Sequence, residues 1–443
     1  MNPTLTVLLV LCALLVLMLA CQVIARRFNL SAEFSRKMVH VGMGVICACF
    51  PLMFNERWPV YALAGLATLS LLIIRLTPRL KRSVGESLHG VDRFSLGEIY
   101  FPLGIGILWF ISLNNTLFFS ISTLVLSLAD ASAAIVGTRF GSKLVSTIDG
   151  AKSWEGNLAF FVVASCCIGI PLFIFTDTPP LQLITVAILI GILMMLVETI
   201  SWHGLDNLFI PLATFVMLDA YTDMAIQSLY FRIAIIAALI LVVWLARNSM
   251  SIDDASVLSI ALFLYLSYMI GGIPWLLPPL ILIINYLWIV RRNPKEETRV
   301  HTIYAIAAVC GPPFFWMMIQ HRFDADSYLL PYAMTFICSL SFMNTAHGAY
   351  IQPQRPMLAT ATLGTLIPIL LILLPQHIWL MESSLLAGLL TPSLLALASG
   401  LLFVKWQPEI KNCPIDKARW IRHGLLSFAS SMMIYIIQNQ PGH

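Results

Sequence analysis

Three carboxylates in the first half of the chain lie within or at the ends of apolar segments, where charged residues are unexpected. Asp130 lies inside the apolar segment 117–136, Glu198 ends another apolar segment, and Asp206 begins the next one. A carboxylate inside a bilayer is costly unless it is paired, coordinated or facing water. Carboxylates that converge from separate helices are what a phosphoryl-transfer site uses to hold Mg²⁺ against a triphosphate. Two simpler readings remain open, a structural Asp130 hydrogen-bonded across helices and an Asp206 that caps its helix.

The segment that follows Asp130 is rich in Gly and basic residues. Gly allows backbone amides to approach phosphate oxygens, and Lys supplies a point charge for them. The segment lacks the GxxxxGK[ST] pattern and is therefore not a P-loop. The same composition is also ordinary for a cytoplasmic loop of a membrane protein. The candidate nucleotide-binding residues of this segment are Gly137, Arg139, Gly141, Lys143, Lys152 and Gly156, and Glu155 lies among them.

A second group of polar residues precedes Asp130. Arg36, Lys37 and His40 begin an apolar segment, and helical spacing places Arg36 and His40 on one face. Glu98 begins a later apolar segment, close to the predicted membrane interface. We expect these four residues to contact the substrate.

The elements that position these residues must be membrane helices. Of the 443 residues, 59% are hydrophobic and 11% are charged, whereas a soluble domain has about 25% charged residues. Apolar runs of the length that crosses a bilayer, roughly 17–25 residues, recur along the whole chain. We therefore predict an all-α, polytopic membrane helix bundle of about 14–16 transmembrane helices. The net charge of +4 gives no reason to expect nucleic-acid binding, and the cysteines show no metal-ligand spacing.

The basic residues of the loops predict an orientation. Lys and Arg mark cytoplasmic loops, and here they concentrate in alternate connections, around 26–37, 75–93 and 139–152. This alternation predicts an N-terminus on the outside. It also places every candidate site residue at or just beneath the cytoplasmic face, where a nucleotide is available.

The order and spacing of these residues resemble the polyprenol kinase family, which contains phytol kinases, dolichol kinases and a CTP-dependent diacylglycerol kinase. The resemblance covers roughly residues 30–215. The family often has Gly directly before the motif Asp, where this chain has Ala129. The matching elements are Arg36-Lys37-x-x-His40, Asp130 with Gly137 and Gly141, Lys152-Ser153-Trp154-Glu155-Gly156, and Glu198 followed by Asp206-Asn207.

The resemblance implies transfer of a terminal phosphoryl group from a nucleoside triphosphate, commonly CTP, to a long-chain lipid alcohol, with Mg²⁺. Phytol, a polyprenol or dolichol, and diacylglycerol are all open as acceptors. Asn207 joins the nucleotide-binding candidates on this basis, and Asp130, Glu198 and Asp206 are the expected metal ligands. The expected catalytic residues are Asp130, Lys152, Glu155, Glu198 and Asp206.

The second half of the chain has no comparable set of polar residues. We predict a kinase-like membrane domain over 1–222 and a second membrane domain over 223–443. The second domain weakly resembles the phytyl-phosphate kinases but lacks their carboxylates near Asn344 and Ala349. A scaffolding or lipid-handling role is the expectation, although His347 and Arg355 could bind a phosphate.

Two other functions compete with the kinase. An ion-coupled transporter or flippase would also use intramembrane carboxylates, but it would place them near the bilayer midplane on broken, paired helices. A CDP-lipid synthase would need similar metal ligands. The order Asp130, Lys152-x-x-Glu155-Gly156 and Asp206-Asn207 favours the kinase over the synthase.

Overall fold

The structure, a computed structural model, is almost entirely helical. It describes the following residues: 3–77, 96–112, 115–142, 144–147, 150–246, 254–292, 303–323, 328–380, 386–412 and 416–439. Lys143, a predicted nucleotide-binding residue, lies outside them, as does most of the predicted basic connection 75–93.

Within these ranges, ten helices are long and apolar enough to cross a membrane, and two shorter apolar helices accompany them. The predicted all-α polytopic membrane bundle is confirmed, and the chain is an integral multi-pass membrane protein. Helices suit this solvent because each satisfies its backbone hydrogen bonds within itself.

The described chain divides into two compact units, Met1–Ala234 and Ile235–His443. The elements of the first unit are α1 (Pro3–Arg27), α2 (Ala32–Ala48), α3 (Phe50–Met53), α4 (Trp58–Leu76), α5 (Gly97–Ile111), α6 (Thr116–Leu124), a π-helical turn (Val125–Ala129), α7 (Asp130–Phe140), β1 (Leu144–Thr147), β2 (Gly150–Ser153), α8 (Trp154–Phe175), α9 (Pro180–Ile200) and α10 (Asp206–Tyr221). The next helix, α11 (Ile226–Ala246), contains the division between the units.

Three helices of the first unit begin where a side chain satisfies a free backbone N–H group. Ser31 caps α2 by accepting from the backbone N–H of Phe34, and Asn115 caps α6 in the same way. Ser153 caps α8 by accepting from the N–H of Gly156 at 3.1 Å. Such caps fix where each helix starts, and so which way its first turn faces.

Strands β1 and β2 form a short antiparallel hairpin, which pairs Val145 with Lys152 and Leu144 with Ser153. The Gly-rich, basic composition of this segment predicts a loop, and the structure instead has two paired strands. The hairpin carries the chain from the end of α7 to the start of α8, and it holds Lys152 in an ordered strand.

Close helix packing explains three glycines that were predicted to bind phosphate. A Cβ at Gly137 would lie 3.1 Å from Ser153 Oγ, and a Cβ at Gly156 would lie 2.8 Å from the Ala133 carbonyl oxygen. A Cβ at Gly141 would lie 2.8 Å from Ser153 Cβ. These glycines therefore let α7, the hairpin and α8 approach one another, whatever else they bind.

The elements of the second unit are α12 (Asp254–Arg292), α13 (Ile303–Phe323), α14 (Leu329–Ile351), α15 (Met357–Pro368), a π-helical turn (Ile369–Leu373), α16 (Leu374–Leu380), a second π-helical turn (Leu386–Leu390), α17 (Thr391–Trp406), a 3₁₀ turn (Ile410–Asn412) and α18 (Lys417–Gln438). Helix α12 is divided into two segments by non-helical backbone at Gly271 and Gly272. Gly272 has a φ of 66°, which suits a residue without a side chain.

The core of the second unit surrounds α14, which is almost fully buried. Large aromatic side chains, including Trp316, Tyr332 and Phe403, fill the core. Buried hydroxyls pair across it, such as Ser399 with Ser430 at 2.6 Å. Small hydroxyl side chains of this kind join helices inside membrane proteins.

Asn344 and Ala349, the two positions of α14 that the sequence singled out, take part in packing. Asn344 Oδ1 accepts a hydrogen bond from Asn285 Nδ2 at 2.8 Å, and Ala349 is buried. His347 is half-buried on the same helix, and Arg355 is exposed in the turn that follows.

Candidate active site

Three predicted metal ligands meet in the first unit. Asp130 at the start of α7, Glu198 near the end of α9 and Asp206 at the start of α10 each offer one carboxylate oxygen, and these oxygens all lie within 4.8 Å of one another. Asp130 and Glu198 are each only 5% exposed. Residues that are up to 76 positions apart in sequence thus form one compact acidic group, called here the carboxylate cluster.

Helix α2 brings a positive charge to one side of this cluster. Lys37 Nζ donates to Asp130 Oδ2 at 2.6 Å, and both side chains are buried. His40, one turn further along α2, places Nε2 3.4 Å from the same oxygen, and its ring packs edge-on against Phe101. Lys37 neutralises Asp130 in this structure, and its contact with the substrate stays a prediction.

Strand β2 brings the second positive charge. Lys152 Nζ donates to Glu198 Oε1 at 2.9 Å and also contacts the Glu198 backbone carbonyl oxygen. Burial alone would lower the pKa of Lys152, but the carboxylates of Glu198 and Asp206 raise it above its ordinary value. The ammonium group therefore stays charged, and it also satisfies a carbonyl in the last turn of α9.

The charges and the free oxygens of the cluster suit a divalent cation. Two ammonium groups face three carboxylates, which leaves a net negative charge in a buried place. Glu198 Oε2 and Asp206 Oδ1 are buried and have no hydrogen-bond partner in the described part of the chain. Buried oxygens without a partner are costly, and Mg²⁺ prefers carboxylate oxygens as ligands. The donor set therefore fits the expected metal.

A tight turn between α9 and α10 positions Asp206. His203 and Gly204 have positive φ values of 55° and 84°, which reverse the chain directly before α10. The backbone N–H of Leu96 donates to the His203 carbonyl at 2.9 Å. Asn207 Nδ2 donates to the Gly97 carbonyl at 3.2 Å. These two bonds join the start of α10 to the start of α5, so Asn207 has a structural role beside its predicted one.

The remaining predicted residues lie around the cluster. Glu155, in the first turn of α8, accepts a hydrogen bond from Ser142 Oγ. Arg36 pairs with Glu33 at 2.8 Å on the outer part of α2. Arg139 is exposed in the last turn of α7, where its guanidinium lies over the Phe140 ring. Glu98 lies in the first turn of α5.

The buried Lys37–Asp130 pair gives a prediction about stability. Lys37→Met leaves a buried carboxylate without its ammonium partner, which should lower the free energy of unfolding by about 3–5 kcal/mol. Adding Asp130→Asn removes the lone charge and should restore much of that loss. Unfolding of the purified protein in detergent micelles measures both effects. A double variant that is less stable than Lys37→Met alone would contradict this account.

The fold and the cluster together define a class of protein. It is an integral membrane protein in which buried carboxylates and lysines from separate helices form one charged site. The chain is 34% identical to a phytol kinase from Synechocystis sp. over 193 residues, which make up 42% of this chain and 79% of that kinase. The chain belongs to the phytol kinase family. No family model and no solved structure matches it.

Proposed function

We propose that the protein is a lipid-alcohol kinase that uses a nucleoside triphosphate, with CTP as the first candidate, and Mg²⁺. The acceptor is a long-chain alcohol such as phytol, a polyprenol or dolichol, or diacylglycerol. The observation that carries the proposal is the carboxylate cluster, held between Lys37 and Lys152, in a chain of the phytol kinase family.

The reaction needs a site that positions two substrates and stabilises charge. The hydroxyl oxygen of the lipid attacks the terminal phosphorus while the bond from that phosphorus to the bridging oxygen breaks. The hydroxyl proton leaves to a carboxylate of the cluster, and the nucleoside diphosphate departs with the bridging oxygen. Lys152 stabilises the negative charge of the triphosphate, and Lys37 keeps Asp130 ionised and oriented.

The metal would be held by Asp130, Glu198 and Asp206, whose oxygens converge. Bound Mg²⁺ would neutralise charge on the triphosphate oxygens. Arg139, exposed at the end of α7, is available to the nucleotide from the aqueous side. Apolar helices surround the cluster, so the hydrocarbon tail of the acceptor can remain in the bilayer while its hydroxyl reaches the carboxylates.

The test uses sealed membrane vesicles that contain the full chain. CTP, ATP, UTP and GTP, each labelled in the terminal phosphate, are supplied with each lipid alcohol in turn. We expect a labelled lipid phosphate with at least one pair, and only when the cytoplasmic face of the membrane is turned towards the nucleotide. If no pair gives a labelled lipid, the kinase function is excluded and the ion-coupled transporter becomes the favoured function. Labelling from the opposite face would overturn the proposed orientation.

The cluster predicts a requirement for a divalent cation. Chelation with EDTA should abolish the transfer, and added Mg²⁺ should restore it. Glu198→Gln removes one anionic ligand, so this variant should need a higher Mg²⁺ concentration for half-maximal activity than the wild type. Asp177→Asn, at an exposed position after α8, is a control that should leave the Mg²⁺ dependence unchanged. Full activity in EDTA would contradict the metal assignment.

For the second domain we propose a scaffolding or lipid-handling role. Its polar residues join helices, and Asn344 and Ala349 stand where the phytyl-phosphate kinases that it weakly resembles have carboxylates. His347→Ala and Arg355→Ala should therefore leave the transfer of phosphate to the lipid within a few-fold of wild type. Loss of this activity in either variant would show that this half of the chain contributes to the chemistry.

A further inference from the structure

A row of contacts fixes helix α2 against the long helix Thr116–Phe140. Ser120 Oγ donates to the Ala48 carbonyl oxygen at 2.7 Å. Gly44 lies against Ser127, and Lys37 reaches Asp130. The positions 37, 44 and 48 recur at helical spacing, so one face of α2 makes all three contacts. The Lys37–Asp130 pair is the last member of this row.

The contact between Gly44 and Ser127 leaves no space for a larger side chain at position 44. A Cβ at Gly44 would overlap both Oγ and Cβ of Ser127. Ser127 is fully buried, and its Oγ donates to the Thr123 carbonyl at 2.7 Å. A larger residue at position 44 therefore forces the two helices apart or displaces a hydrogen-bonded side chain.

Ser127 belongs to the π-helical turn Val125–Ala129, which ends directly before Asp130. A π-helical turn has a wider hydrogen-bonding pattern than an α-helical turn. One additional residue rotates everything that follows it by about 100° about the helix axis. The π-helical turn therefore decides which direction Asp130 faces, and Ser127, in its centre, touches α2.

We propose that Gly44 and Ser127 are positioning residues for phosphoryl transfer, because their contact sets the distance between the Lys37 ammonium and the Asp130 carboxylate. The inference rests on the proposed function for its effect on turnover. Gly44 lies seven residues beyond Lys37, which is about 10 Å along α2. It acts on the reaction through the helices that it holds together.

The first test is Gly44→Ala. A displacement of about 1 Å can cost roughly 100-fold in rate, so we expect a fall of that order in kcat with little change in the KM for the nucleotide. Gly65→Ala is a matched control, because a Cβ at Gly65 on α4 meets nothing within 4 Å. Equal kcat values for the two variants would overturn the proposal.

The second test is rescue. Adding Ser127→Gly to Gly44→Ala removes both atoms that the new Cβ would strike, and the next atom, the backbone Cα of residue 127, lies 3.6 Å away in ordinary contact. The double variant should recover most of the activity that Gly44→Ala loses, when compared with Ser127→Gly alone. A double variant as inactive as Gly44→Ala would show that the contact is not the cause.

The third readout does not depend on catalysis. Lys37 is 7% exposed, so an amine-reactive reagent should label it slowly in the wild type, rapidly in Gly44→Ala, and slowly again in the double variant. Lys152 serves as an internal reference, and unfolding temperature in detergent separates a local change from general unfolding. If the wild type phosphorylates no lipid alcohol, the proposed function fails while this labelling pattern still decides the positioning role. Unchanged Lys37 labelling in Gly44→Ala would overturn that role.

Discussion

Asp130→Asn should reduce the transfer of phosphate to a lipid alcohol by roughly 100- to 1000-fold, the range for loss of one group that stabilises transition-state charge in a buried site. The amide has nearly the shape of the carboxylate but lacks its charge. It therefore cannot neutralise Lys37 or complete the anionic set with Glu198 and Asp206. Transfer of labelled phosphate by equal amounts of folded, purified protein measures the effect.

Asp219→Asn is the matched control for this variant. Asp219 lies in the same unit, near the end of α10, and is exposed. Its substitution changes the net charge by the same amount without touching the cluster, so its activity should equal that of the wild type. An Asp130→Asn variant with wild-type activity would remove Asp130 from the site.

Lys152→Ala should have an effect of similar size, roughly 100-fold or more, for a different reason. The substitution removes the ammonium group that faces Glu198 and leaves three carboxylates opposed by Lys37 alone. We expect the KM for the nucleotide to rise as well, because Lys152 is the residue proposed to stabilise the triphosphate. Steady-state kinetics over a range of nucleotide concentrations separates the two effects.

Lys411→Ala provides the comparison for this variant. Lys411 Nζ also donates to a backbone carbonyl, that of Pro353 at 2.8 Å, but its side chain is exposed. Loss of a lysine–carbonyl bond alone should therefore leave the kinetics unchanged. If Lys411→Ala and Lys152→Ala behaved alike, the carboxylates around Lys152 would not be what matters.

The sequence was most informative about residues whose presence in a membrane helix is costly. Asp130 and Glu198 stand out because hydropathy cannot explain them, and the structure places them within one cluster with Asp206. The helical fold was equally predictable from the sequence, since a long apolar segment in a bilayer has few alternatives to a helix.

The sequence could not reveal which side chains would meet across helices. Lys37 and Asp130 are 93 positions apart, and their pairing depends on how α2 packs against the helix that carries Asp130. The π-helical turn before Asp130 was likewise hidden, because the residues Val125–Ala129 have an ordinary apolar composition. The close packing that requires glycine at positions 137 and 156 was also hidden, because it arises only when the helices fold against one another.

The hairpin is a different case, because its signal was present in the sequence. Asp149-Gly150 is a dipeptide typical of hairpin turns, and it stands where the second of the two pairing segments, Leu144–Thr147 and Gly150–Ser153, begins. The positive charge and glycines of the region favoured interpretation as a phosphate-binding loop, and this obscured the turn.

The pairing of β1 with β2 also limits how the length of the chain can vary during evolution. Side chains alternate between the two faces of a strand, so a shift of one residue turns each of them to the opposite face. An insertion of one residue between Lys152 and the cap at Ser153 would turn the ammonium group away from Glu198, whereas added residues at the tip, between the strands, would keep its direction. Gaps among related chains should therefore concentrate at the hairpin tip and be absent from the β2–α8 junction.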